Sequence, residues 1–213
     1  MPQHVTIIDY KAGNITSVRL AFEAVGAEVC VSSDPQKIRQ SSRLVFPGVG
    51  AAGSAMDNLR RYELVDTIRE VVNQGVPFFG ICLGTQILLS HTEEDGGTPV
   101  LDILPGSVRL FRPNDAKVKV PHIGWNQLTL TDIGKSHPIL NGIPDQSDFY
   151  FVHSYYPDPA DPNAILGTTD YADVRFTAML AKDNLVATQF HPEKSGKIGL
   201  KLLDNFIYRK ILC

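Results

Sequence analysis

PFFGICLGTQILL, residues 77–89, decides how the rest of the chain is read. Apolar residues run without a break into Cys82, a glycine stands two positions to either side, and a helical pattern follows. Continuous apolar strands belong to sheets covered by helices on both faces. VPFFGIC (76–82) therefore predicts an inner strand of an α/β sheet. A sharp strand-to-helix turn exposes its middle side chain and needs small neighbours, and Gly80 and Gly84 supply that room. That is the arrangement of a nucleophile elbow. On these residues alone a second reading stands beside it, a buried structural cysteine at a strand end, because free cysteine is among the most buried residue types.

The flanking sequence extends the pattern. VTIID (5–9), AEVCVS (27–32) and RLVFP (43–47) read as strands, and Asn14 is placed to cap a helix carrying Ile15, Val18, Phe22 and Val25 on one face. A long helical stretch follows through Leu64, Val65, Ile68, Val71 and Val72, with Gly75 placed to end it. Repeated βα units predict an α/β fold, a doubly wound and mostly parallel sheet flanked by helices. From about Ser107 to Leu180, strand-like pieces alternate with Pro-, Gly- and Asp-rich turns, which predicts antiparallel strand additions in the second half. LVATQFH (185–191) returns to a buried strand, and a helix from about Gly196 to Leu212 follows. With 213 residues and 43% hydrophobic composition, residues 1–213 read as a single domain.

The net charge of −3 contains no long run of either sign, which argues against a nucleic-acid stripe or a basic membrane face. Every apolar stretch is shorter than the ~20 residues that span a bilayer. MPQHVTIIDY enters a strand pattern without the layout of a signal peptide. Cys30, Cys82 and Cys213 are widely spaced, indicating neither a disulfide framework nor a metal site. Cys30 reads as core and Cys213 as incidental. The expectation is a cytoplasmic enzyme or binding protein without metal or cofactor.

A thiol nucleophile needs a base, and the base needs an orienting group. QFHPEKS (189–195) offers His191 and Glu193 at a strand end, with Pro192 restricting the backbone between them. In a parallel sheet the carboxyl ends of the strands share one rim, so Cys82 and His191 are expected to meet there. The helix after Cys82 would aim its first amides and positive dipole end at the sulfur. PGVG (47–50) also follows a strand; it is either an ordinary turn or a loop whose backbone N–H meets a developing oxyanion, with the Leu83 N–H as second donor. Gln86, four residues after Cys82, is on the same helix face and within reach of a substrate. His122 and His153 read as structural histidines or second bases, and His4, His91 and His137 join no constellation.

GICLGTQ, PGVG and FHPE together resemble class I glutamine amidotransferases. IDYKAGN, PGVGAAGSAM, KVPHIGWN, FYFVHSYY and FHPEKSGKIG resemble, within that family, the glutaminase subunits of imidazole glycerol phosphate synthase, from residue 6 to the last helix. Lys11 departs from the glycine usual at its position, which bears on the contacts of that turn and not on the triad. The resemblance implies Cys82 as nucleophile, His191 as general acid and base, and Glu193 as its orienter. It implies Val49, Gly50 and Leu83 at the oxyanion, and Gln86 with the backbone around Ser154 and Tyr155 at the amino-acid end of glutamine. It also implies no cofactor and a (β/α)₈ cyclase partner that takes the ammonia in histidine biosynthesis. Tyr10, Lys11, Asn14, His122, Trp125, Asn126 and Lys194 are then read as the docking face and ammonia exit, with Trp125 as anchor; without the resemblance they read equally as turn residues and a core tryptophan. The rivals are another amidotransferase of the class, serving anthranilate, guanylate or pyridoxal phosphate synthesis; a Cys-His hydrolase of peptides or γ-glutamyl conjugates; and a silent subunit.

Overall fold

A computed structural model of the chain describes residues 3–11, 14–115 and 117–209. The first half forms β1 (Gln3–Ile8), α1 (Ile15–Ala24), β2 (Ala27–Ser32), α2 (Pro35–Arg39), β3 (Leu44–Gly48), α3 (Ala52–Arg61), α4 (Leu64–Asn73), β4 (Phe78–Cys82) and α5 (Leu83–Gln86). Then come β5 (His91–Thr92), β6 (Thr98–Pro99), β7 (Gly106–Leu110), β8 (His122–Leu130), α6 (Asp132–Ser136), β9 (Ser147–His153) and β10 (Tyr155–Pro159). β11 (Ile165–Tyr171), β12 (Val174–Lys182), β13 (Leu185–Thr188) and α7 (Gly196–Tyr208) complete the described chain.

The larger sheet has the order β2-β1-β3-β4-β13-β12-β11-β8-β9. From β2 to β13 its strands are parallel, and from β13 to β9 each pairing is antiparallel. A smaller sheet, β10-β7-β5-β6, lies beside it. The apolar runs serve both faces of the larger sheet by alternation. Val5, Ile7, Phe79 and Ile81 enter one core with Phe22 of α1 and Phe206 of α7. Ile8, Leu44, Phe46 and Phe78 enter the other with Met56 and Leu59 of α3 and Ile68 and Val71 of α4. Phe206 packs at 5.1 Å from the Phe79 ring and 6.2 Å from Phe22, a contact whose loss costs about 3–5 kcal/mol in a site that cannot collapse.

Several expectations change. α3 was not anticipated: the side chains it buries, Ala52, Ala55, Met56 and Leu59, recur at helical spacing, but two of the four are alanine and the other positions are glycine or polar. Asn14 occupies the cap position of α1 but its side chain makes no capping bond. Cys30 is exposed rather than core, since β2 is an edge strand that buries little beyond its ends. α7 is described as far as Tyr208; Leu212 and Cys213 lie outside the described residues. Gly75 does end α4, in the left-handed region at φ +81°. Lys11 takes φ 65°, a conformation glycine adopts freely, and it is tied down by Asp9, whose carboxylate accepts from both the Lys11 amide and its ammonium.

Candidate active site

Cys82 ends β4 with φ 54° and ψ −106°, a conformation that L side chains rarely adopt. The chain doubles back so tightly that a Cβ on Gly84 would lie 2.1 Å from the Phe46 carbonyl oxygen, and one on Gly80 2.8 Å from the Gly84 oxygen. Both glycines are therefore obligatory, and the turn they permit points the sulfur at the rim of the sheet. The following helix is only one turn long, Leu83–Gln86, so the dipole support expected from it is small.

A stronger influence comes from the neighbouring strand. β13 lies parallel to β4 with Thr188 opposite Ile81, and the Thr85 hydroxyl crosses the elbow to donate to the Thr188 carbonyl at 2.6 Å. Three residues later comes His191, whose Nδ1 lies 2.8 Å from Glu193 Oε1 with both side chains almost wholly buried. The 3₁₀ turn Pro192–Lys194 bends Glu193 back to the ring. A carboxylate only accepts, so Nδ1 carries the hydrogen and Nε2 is the nitrogen left free of Glu193. Burial alone would lower the ring's pKa. The Cys82 sulfur and Glu193 outweigh it and push His191 up to about 10, which favours imidazolium beside sulfur. Nε2 makes no hydrogen bond among the described residues. The imidazole is also fixed from behind: its backbone N–H donates to Tyr150 O at 2.9 Å, and Ser195 Oγ donates to its carbonyl at 2.6 Å.

In front of Cys82 is a cavity of about 290 Å³. Val49 and Gly50, Leu83 and Gln86, and the β9–β10 junction from Val152 to Tyr155 line it. Gly50 takes φ +104° with open space around it. Gln86 does line the cavity, but both hydrogens of its amide are spent internally, on Tyr155 O at 2.9 Å and Gln189 Oε1 at 3.0 Å. Only its oxygen remains to meet a ligand. The Ser154 and Tyr155 carbonyls likewise already accept, from Phe111 N and from Gln86 and His153.

Two residues in this site escaped sequence reasoning. Gln189, fully buried, donates to Cys82 Sγ at 3.5 Å; a glutamine inside an otherwise apolar run was the available signal, since an unexpected buried polar group is the informative case. Glu94 brings a carboxylate into the cavity wall while holding the Ala52 amide at 2.6 Å, and burial pushes its pKa upward. Its setting in TEEDGG reads as a solvated loop and offered no signal. Among the described residues no group of three or more His, Cys, Asp or Glu side chains converges as metal ligands.

The residues expected on a docking face divide. Tyr10 is fully buried, stacked 4.8 Å from Phe46 beneath the Gly48 turn, and His122 is buried between Phe151 and Tyr171, so neither ring is presented to a partner. Trp125 is 58% exposed and not core. It meets Tyr150 at 6.0 Å, and Lys194 lies over the other part of that aromatic pair at 5.8 Å, giving one continuous patch next to exposed Ile123. Lys11 is exposed, whereas Asn14 and Asn126 are half-buried.

Residues 6–210 match the family Glutamine amidotransferase class-I. The chain is 48% identical over 202 residues to "Imidazole glycerol phosphate synthase subunit HisH" of Dehalococcoides mccartyi (strain CBDB1), covering 95% of each protein. It is 46% identical over 210 residues to the protein of the same name from Pseudomonas putida, covering 96% of this chain and 97% of that one. Among solved structures, that of PurLQS from Thermotoga maritima shares the fold, with a TM-score of 0.75 at 17% identity over 97% of this chain and 98% of that one. The chain belongs to the class I glutamine amidotransferase family and groups within it with the HisH subunits of imidazole glycerol phosphate synthase.

Proposed function

We propose that the chain, acting as one amidotransferase domain, hydrolyses glutamine at Cys82 and delivers the ammonia to a (β/α)₈ cyclase subunit. The ring-forming step that yields imidazole glycerol phosphate and an aminoimidazole carboxamide ribonucleotide belongs to the complex. One observation carries this reading: a strained cysteine elbow faces the buried His191–Glu193 pair from the adjacent parallel strand.

The Cys82 thiolate attacks the side-chain carbonyl carbon of glutamine, and the oxygen takes up negative charge facing the Leu83 N–H and the Val49–Gly50 peptide. As the C–N bond breaks, His191 Nε2 gives its proton to the leaving nitrogen and ammonia departs. The neutral imidazole then removes a proton from water, which attacks the γ-glutamyl thioester. The C–S bond breaks to release glutamate, restoring thiolate and imidazolium. The Glu94 carboxylate suits the substrate's α-ammonium group, and the Gln86 oxygen is a second acceptor on the same wall. Docking is assigned to the Trp125–Tyr150–Lys194 patch with exposed Ile123 on the same strand as Trp125, and to the exposed Lys11 after β1. No helix among the described residues is long and apolar enough to cross a membrane, and we place the complex in the cytoplasm.

The test is glutamate release from glutamine, with the chain alone and with the cyclase subunit and its nucleotide substrate, using Cys82→Ala as blank. Low activity alone, a large rise in the complex and none in the blank is the expected result. Cys82-dependent hydrolysis that ignores the cyclase would point to another synthase. No Cys82-dependent hydrolysis in any mixture would overturn the glutaminase reading.

A further inference from the structure

β8 and β9 pair with His122 opposite His153, and both rings turn inward among Phe111, Phe151, Phe176 and Tyr171. The thioester chemistry uses neither ring, and burial keeps both from a docking face. Their hydrogen bonds nevertheless have a fixed direction. A carbonyl only accepts, so the 2.8 Å contact from His153 Nδ1 to Tyr155 O requires the hydrogen on Nδ1. Burial holds that ring neutral, with its pKa pushed down to about 3, so Nε2 is bare and accepts from His122 Nδ1 at 3.2 Å. His122, pushed down by burial to about 4, is neutral in turn, and its bare Nε2 accepts from Asn126 Nδ2 at 3.3 Å.

The outer end is fixed independently. Asn126 Nδ2 also donates to Asp170 O at 3.1 Å, and its Oδ1 accepts from Gln127 N at 2.8 Å, so the amide cannot be turned over without losing both. Each tautomer is therefore set from two sides, and all donors point the same way. At the inner end Tyr155 O accepts a second bond from Gln86 Nε2, Gln86 donates to Gln189, and Gln189 reaches the Cys82 sulfur. The outer end follows directly on Trp125 in β8.

The geometry points to Asn126, His122 and His153 as positioning residues, a one-way hydrogen-bonded relay that fixes the Tyr155 carbonyl and Gln86 at the glutamine pocket and ties that wall to the strand carrying Trp125. The kinetic consequence rests on the glutaminase reading; the tautomers do not.

Nitrogen-15 NMR of the imidazole rings of the wild-type chain at pH 7 reads the relay without any turnover. Both His122 and His153 are expected neutral with hydrogen on Nδ1, and hydrogen on Nε2 of either ring overturns the relay whatever the chain catalyses. The second arm measures glutamine kinetics with the cyclase subunit present. His122→Phe keeps an aromatic ring between Phe151 and Tyr171 but removes both nitrogens, while His122→Asn keeps a donor where Nδ1 stood. His122→Phe should raise KM about tenfold with kcat changed by less than about twofold, and His122→Asn should recover most of that loss. An unchanged KM in folded His122→Phe, or equal losses in the two variants, overturns the positioning role. Wild-type protein with the expected tautomers and no Cys82-dependent hydrolysis would instead sink the glutaminase reading and leave the relay standing.

Discussion

In the proposed mechanism His191 is the residue on which the chemistry turns, because there it must carry a proton when the nitrogen leaves. Its pKa lies well above the ordinary histidine value, so the imidazolium persists as pH rises until about 10. Glu193 is one of the groups holding it there, and its carboxylate favours the charged ring. Glu193→Gln removes that support, so the alkaline limb of kcat/KM, which reports the ring's deprotonation, should move to lower pH. A kcat/KM lower by roughly two to four orders of magnitude should accompany it. A limb left near pH 10 in that variant would show that the sulfur alone sets the ring. Glu94→Gln keeps the acceptor for the Ala52 amide but removes the charge offered to an α-ammonium group. Glutamine KM should rise about tenfold or more with kcat little changed, and an unaltered KM would remove Glu94 from the binding wall. The elbow at Cys82 and the His191–Glu193 contact were legible because a thiol nucleophile would need those side chains in few arrangements, and FHPE places two of them two positions apart. Glu94 was not, since it owes its place to a fold that returns a distant loop to the cavity wall, and Gln189 left only the mark of a polar side chain in a buried strand pattern.

Among the elements, the elbow of β4 and α5 is the least tolerant. Gly84 sits where any side chain would strike the backbone of β3, which has nowhere to move inside a five-strand parallel block. Gly84→Ala should therefore destabilise the chain by about 3 kcal/mol or more, read as a fall in Tm of roughly 6–12 °C. A melt within a degree or two of wild type would mean that β3 yields more readily than its packing suggests. Strands buried on both faces were legible because their apolar runs are too short for a buried helix and are bounded by turn residues. The order β12-β11-β8-β9 was not, because alternating strands separated by turns fix the antiparallel habit without fixing which neighbour each strand chooses. α3 was faint for a different reason, since two of the four positions of its buried stripe are alanine.

For the molecule as a whole, the parallel and antiparallel halves of the sheet meet at β13, and the exposed Trp125 patch is carried by the antiparallel end. Trp125→Ala should weaken cyclase binding by about 2 kcal/mol, close to thirtyfold in Kd by calorimetry, and leave the unpartnered chain's hydrolysis unchanged. Equal affinity would move the anchor elsewhere on the rim. The placement of β13 also governs how the molecule comes into being. It is the last strand of the described chain, yet it lies between β4 and β12, and Thr188 clasps Thr85 from 103 residues away. Until it is threaded between them the sheet is two separate pieces, and Cys82, long since synthesised, has no histidine beside it. On the proposed mechanism a growing or half-folded chain thus holds its thiol without the means to use it. Cellular glutamine is safe from the enzyme until the closing strand locks home.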